Sequence, residues 1–153
     1  MMGAKEYLEQ IRLYDTNINH KLDDIERLNA LVTKVTSTWK GDVVSGGGNQ
    51  DKLGDAVARI VDLRNEVNQA IDDYVDKKRE VCNVLDRLKN PDHIRVLRLR
   101  YFGIYDEKSK EVHYPTWEEI ACVMHMTYRN VCYIHGRALQ TVGRLLRDGK
   151  CET

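Results

Sequence analysis

Proline and phenylalanine are scarce in these 153 residues, with two of the first and one of the second. With 31% charged residues and a mean hydropathy of −0.55, the scarcity of proline argues against disorder, collagen-like repeats and a turn-rich β-sandwich. No stretch approaches the ~20 consecutive apolar residues that a membrane helix needs. The opening residues, Met1-Met2-Gly3-Ala4-Lys5-Glu6-Tyr7, carry no apolar signal-peptide core. A soluble chain in the cytoplasm, with no membrane partner, is therefore expected. Four cysteines (Cys82, Cys122, Cys132 and Cys151) in such a chain read as reduced thiols. Gly46-Gly47-Gly48 lacks the Lys-Ser/Thr of a phosphate-binding loop, and no Ser/His/Asp set can be placed on one site. No enzymatic activity and no cofactor is expected.

The length suits one domain or two small ones. Net charge is zero, with 24 Lys+Arg against 24 Asp+Glu, but the charges are unevenly spread. Residues 1–88 carry 13 basic against 16 acidic side chains, and residues 89–153 carry 11 against 8. Within 127–151, Arg129, Arg137, Arg144, Arg147 and Lys150 are opposed only by Asp148. Any contact with a polyanion belongs at the C-terminal end.

Residues 1–89 read as a long antiparallel helical hairpin. Ala4, Tyr7, Ile11, Tyr14, Ile18, Lys21, Ile25, Leu28, Val32, Val35 and Trp39 alternate steps of 3 and 4, the heptad spacing that keeps one stripe on a partner helix. Gly41 to Gln50 then forms a flexible connection. The seam resumes at Leu53, Val57, Ile60, Arg64, Val67, Ile71, Tyr74, Lys78, Val81, Leu85 and Leu88, widened by Ala56, Leu63 and Ala70. Each helix would be on the order of 50 Å long. So thin a hairpin lacks a core of its own, so two chains are expected to pair through it as a homodimer, or the hairpin to lean on another protein. Lys21, Arg64 and Lys78 read as register-setting polar residues within the seam. Asp72, Asp73 and Asp76 read as a solvated acidic face.

Residues 90–153 carry the informative pattern. Asn90-Pro91-Asp92 begins a helix, and the run Ile94 to Phe102 ends at Gly103. Residues 103–115 are polar and read as a loop. Thr116-Trp117-Glu118-Glu119 is a capping box that opens a helix to about Met124. His125-Met126 is a turn in which His125 stands where glycine is common and takes positive φ. Thr127 caps a longer helix, where Val131, Ile134, Ala138, Leu139 and Val142 face inward. A short capped helix, a tight turn and a longer helix with a basic outer face make a helix-turn-helix, whose second helix presents its N-terminal side chains to a DNA major groove.

The string from Val96-Leu97-Arg98-Leu99-Arg100-Tyr101-Phe102-Gly103 through Thr116-Trp117-Glu118-Glu119-Ile120-Ala121 to Thr127-Tyr128-Arg129-Asn130-Val131 and Arg137-Ala138-Leu139 resembles region four of the primary bacterial sigma factors. In that family the module reads the −35 promoter element. The hairpin is foreign to sigma factors, and no segment resembles their −10-reading region. A helical N-terminal half before a sigma-like module resembles, by layout, phage and prophage late-transcription activators of the RinA and ArpU type in Gram-positive bacteria.

The resemblance places base-reading side chains at Tyr128, Arg129, Cys132 and Tyr133, and backbone-contacting ones at Thr116, Thr127 and Arg137. Sigma factors have Arg, Glu, Arg and Gln at the four reading positions, so a different operator is implied. Arg129 is then the guanine reader, and the tyrosines meet thymine methyls or phosphates. Asn130 joins this group, and Arg144 and Arg147 lie further along as phosphate contacts. The implied function is a sequence-specific transcriptional regulator, phage or prophage encoded. It binds double-stranded DNA as a dimer in the bacterial cytoplasm, and RNA polymerase is a second partner. Two alternatives are a small-terminase-type packaging protein and a module that binds polymerase or an anti-sigma partner.

Blander readings stand beside several of these residues. Cys122-x-x-His125 and Cys132-x-x-His135 have ligand chemistry, but Val131 and Ile134 facing inward would turn Cys132 and His135 outward, away from Cys122. No metal site is therefore expected. Trp117 reads as a cap on the helix-turn-helix core. Arg95, Arg98 and Arg100 divide evenly between a solvated face and phosphate contact.

Overall fold

The computed structural model describes residues 2–38 and 48–149. Six helical segments and one small sheet follow in order: α1 (Ala4–Thr38), α2 (Gly48–Asp86), α3 (Pro91–Leu97), a π-helical turn (Arg98–Phe102), β1 (Ile104–Asp106), β2 (Glu111–His113), α4 (Trp117–Met124) and α5 (Tyr128–Asp148). The fold is dominated by helix, with a long N-terminal helical hairpin as expected. Trp39 and most of the expected Gly41–Gln50 connection lie outside the described residues, as do Lys150 and Cys151. α2 begins at Gly48, five residues before the first seam position read from the sequence.

The chain divides into two compact units, residues 14–75 and residues 1–13 with 76–153. In the first, Ile25, Ile60, Leu63 and Val67 form a buried cluster, with Leu28 and Val32 packed against it. Lys21 donates to Glu66 of the other helix at 2.5 Å. The Lys21 ammonium holds the exposed Glu66 carboxyl below its usual range, chiefly through that hydrogen bond. Lys21 thus serves as a polar contact between the helices, consistent with its seam position.

The seam on α2 keeps Ile60, Val67, Val81, Leu85 and Leu88 of the expected row, and between Val57 and Ile71 it runs through Leu63 and Ala70, which were expected only to widen it. Ile60, Leu63, Val67 and Ala70 are buried, while Val57, Arg64 and Ile71 are exposed. Arg64 does not interrupt the seam at all. Both rows have heptad period, and only burial chooses between them. On α1, Val35 is exposed whereas Tyr7, Leu8, Ile11, Ile18 and Ile25 are buried.

In the second unit the ends of α1 and α2 lie together. The Tyr7 hydroxyl donates to Glu80 at 2.8 Å, and the Lys77 ammonium stands 4.6 Å from the Tyr7 ring centre while donating to the same carboxylate. Burial, then the Glu80 contact, raises the phenol. Burial alone would raise Glu80, but the bonds from Tyr7 and Lys77 outweigh it and lower the carboxyl. Val81, Leu85, Val96, Leu97, Ile120, Val131, Ala138 and Val142 are buried in this unit, the core on which the C-terminal helices rest.

α3 is capped as expected, with the Asn90 side chain accepting from Asp92 N at 2.9 Å. The run to Phe102 is helical throughout but changes to π geometry at Arg98, burying Tyr101 as well as Val96 and Leu97. Gly103 ends it at φ +70°, where a Cβ would lie 2.6 Å from Val112 Cγ1 and 2.7 Å from the His113 carbonyl.

The expected polar loop is instead a β-hairpin, pairing Ile104 with His113, Tyr105 with Val112 and Asp106 with Glu111. Asp106 builds its turn by accepting from Lys108 N at 3.0 Å and Ser109 Oγ at 3.1 Å, and Lys110 takes φ 57°. Those bonds, led by the one from Lys108 N, hold the Asp106 carboxyl below its usual range.

Candidate nucleic-acid interface

α4 starts where its capping box places it. Thr116 Oγ1 accepts from Glu119 N at 3.3 Å, and Thr116 N donates to the Glu119 carboxylate at 2.7 Å. His113 approaches the same carboxylate at 3.1 Å. The bond from Thr116 N, then His113, lowers the Glu119 carboxyl. α4 stops at His125, which adopts φ 54° and ψ 42° in the left-handed conformation that ends a helix sharply. Two residues later Thr127 caps α5, its hydroxyl accepting from Asn130 N at 3.2 Å. The arrangement of α4, turn and α5 is a helix-turn-helix.

α5 turns one face to the core, with Val131, Ala138 and Val142 buried. His135 belongs to that face, contrary to the expectation that it points outward. Positions 131, 135, 138 and 142 step by 4, 3 and 4 and so form one line along the helix, with Ile134 on its flank. The His135 Nε2 and the Tyr101 hydroxyl are 2.9 Å apart, and the Trp117 ring meets the imidazole edge-on with centroids 4.6 Å apart. Burial, assisted by the nearby Arg100 and Lys5 charges, pushes His135 down to about 4. Burial likewise pushes Tyr101 up to about 12.

The three arginines of the preceding segment are engaged within the protein. Arg95 donates to the Val123 carbonyl at 3.1 Å, and Arg98 lies 3.6 Å from Asp86. Arg100 donates to the Pro115 carbonyl at 3.2 Å with its guanidinium 4.4 Å from the Trp117 ring centre. Trp117 is thus held between Arg100 and His135.

The opposite face of α5 is open. Thr127, Tyr128, Arg129, Asn130, Tyr133, Arg137, Arg144 and Arg147 are all exposed, and Cys132 is half-buried. Arg129, Tyr133, Arg137 and Arg144 fall on one line away from the core. The Arg137 guanidinium lies 5.9 Å from the Tyr133 ring centre. Among the described residues none of the four α5 arginines makes an ion pair. Tyr128 stands next to Cys132, whose electrostatic influence and hydrogen bond raise the phenol. Arg147 also lines a cleft of about 600 Å³ together with Tyr7, Lys77, Glu80, Arg87 and Leu146.

The residues expected to touch DNA are thus gathered at the start of α5 and along its outer line, with one exception. Thr116 is exposed at the start of α4, where its hydroxyl accepts from Glu119 N in the capping box. Sequence reasoning missed His135 and Tyr101 as a partly buried polar pair; the 131, 135, 138, 142 spacing was the available signal. Among the described residues no cluster of three or more His, Cys, Asp or Glu could hold a metal. No helix of the described residues is long and apolar enough to cross a membrane.

No curated protein and no solved structure matches the chain. One protein family matches residues 34–115, a span that reaches from the end of α1 through β2 and stops before α4. Because that span is just over half of the 153 residues, the chain belongs to this family, DUF1492, whose members are described as proteins of unknown function.

Proposed function

We propose that the protein is a sequence-specific DNA-binding transcriptional regulator that reads a major groove with the N-terminal turns of α5. The supporting observation is the open face that begins at Thr127. It combines a fixed helix start, exposed hydrogen-bonding and aromatic side chains, and arginines that form no ion pair among the described residues. A groove about 12 Å wide admits such a helix. Tyr128, Arg129, Asn130, Cys132 and Tyr133 face base edges, with Arg129 reading guanine through a bidentate bond. Thr127, Arg137, Arg144 and Arg147 hold phosphates, and Thr116, at the start of α4, contacts the DNA backbone. The likeness to sigma region four and to phage activators supports a phage or prophage origin, action as a homodimer and contact with RNA polymerase.

Selection of bound fragments from a random DNA library supplies the operator, and Arg129→Ala then tests the reading. The substitution is expected to cost about 1–3 kcal/mol on the selected site and to relax preference at one base position. Equal losses on selected and random DNA would reject the base-reading role of Arg129. Failure to retain any duplex would reject the function.

A further inference from the structure

Beside its buried face, α2 carries a second line of aliphatic side chains, all within residues 14–75. Val57, Val61, Ile71 and Val75 are 47%, 51%, 41% and 45% exposed. With Arg64 and Asn68 between them, they step by 4, 3, 4, 3 and 4, the period of a helix-contact seam. Each member except the two ends follows directly after a buried residue: Ile60, Leu63, Val67 and Ala70. The exposed line therefore runs alongside the buried one. Leu22, next to the Lys21 that meets Glu66, is 46% exposed and adds an aliphatic side chain level with the middle of the row. Exposed aliphatics scattered singly need no explanation, but a periodic row over about five turns does.

The row also reads alike in both directions. From Val57 to Val75 it is apolar, apolar, polar, polar, apolar, apolar, symmetric about position 66. We propose that this face binds a second copy of the chain, with the two α2 helices antiparallel across a twofold axis level with Glu66. A twofold contact uses the same patch on both subunits, so the patch must be complementary to its own reversed image. Here Val57 meets the partner's Val75 and Val61 meets the partner's Ile71. At the centre the Arg64 guanidinium donates to the amide oxygen of the partner's Asn68. A parallel pairing in register would instead set Arg64 against the partner's Arg64, a juxtaposition of like charges that opposes association. This inference deepens the dimeric part of the proposed function and uses neither α5 nor DNA.

The test uses the full chain without DNA. Sedimentation equilibrium is expected to return a dimer. Val61→Glu combined with Ile71→Glu is expected to raise its dissociation constant at least about a hundredfold, with the helical circular-dichroism signal retained. Leu31→Glu, at an exposed site off this row, is expected to leave the dimer intact. Orientation is read in chains carrying Cys82→Ser, Cys122→Ser, Cys132→Ser and Cys151→Ser. A Val57→Cys chain mixed with a Val75→Cys chain is expected to cross-link through a short bis-maleimide, and Val57→Cys chains alone are not. These two variants keep the apolar size of the row and so decide the matter if the glutamates unfold the helix. A monomer, a ring of many subunits, a dimer indifferent to the paired glutamates, or cross-linking of Val57→Cys to itself would each overturn the proposal. Arg129→Ala is expected to leave the dimer intact, so loss of DNA reading and loss of pairing are seen separately.

Discussion

A neutral imidazole packed between Tyr101 and Trp117 links the stability of the C-terminal unit to pH. His135 ionises near 4, against an ordinary value of 6.5. Between those values the unfolded chain binds a proton that the folded chain refuses, so stability rises with pH across the window. The contribution is complete above about 6.5 and is lost as pH falls toward about 4. Solvent still reaches part of the ring, so the full shift is discounted to about 1–2 kcal/mol. Thermal melts at about pH 7 and about pH 5, above the range of the lowered carboxylates, isolate it. The melting temperature is expected to fall across that interval in the natural protein and to fall much less in His135→Phe. Equal falls would mean that another group is responsible. The residue illustrates how the sequence misleads at this scale. Val131 with Ile134 and Val131 with His135 are both helical spacings, and a polar ring is not an obvious core residue until Tyr101 is seen to supply a hydrogen-bond partner.

At the scale of elements, legibility followed local chemistry. The capping box at Thr116, the left-handed residue at His125 and the Thr127 cap were readable because each satisfies backbone groups within three or four residues. The β-hairpin was not, since strands of three residues such as Ile104–Asp106 carry almost no pattern; it rests on the Asp106 turn and on Gly103. The α2 seam was legible in part: Ile60, Val67, Val81, Leu85 and Leu88 are buried as expected, but Val57, Arg64 and Ile71 are exposed. Two parallel heptad rows exist there, and choosing the buried one requires the partner helix.

α5 holds a further element-scale feature in Gly136, which has nothing within 4 Å of where a Cβ would stand. A glycine inside a helix costs about 0.5–1 kcal/mol relative to alanine. Gly136→Ala is therefore expected to stabilise the fold by about that amount, read as a higher melting temperature. Gly136 lies on the outer side of α5, between Tyr133 and Arg137. A DNA backbone passing close there would meet the new methyl, so affinity is expected to fall on specific and random duplexes alike. A gain in stability with unchanged affinity would place the DNA further from this turn.

For the whole molecule, the distribution of charge confines where the proposed DNA contact would lie. Residues 14–75 carry 7 Lys+Arg against 11 Asp+Glu, so that unit repels phosphate, and attraction falls to the arginines along α5. Each cation that replaces a condensed counterion on DNA contributes about 0.9 to the slope of log affinity against log salt. A protein that grips DNA through so few arginines is expected to show a shallow slope, and one that a single substitution visibly alters. Arg144 stands on the outer line of α5, beyond the two turns that would reach base edges in the proposed complex, so its proposed contribution is to phosphate alone. Arg144→Ala is expected to lower the magnitude of the slope by about 1 and to weaken selected and random DNA by the same factor. Arg129→Ala instead narrows the gap between them. Titrations of both variants on both duplexes over a range of salt separate holding from reading. An Arg144→Ala slope equal to that of the natural protein would remove Arg144 from the contact. It would then leave the phosphate contacts to Thr127, Arg137 and Arg147.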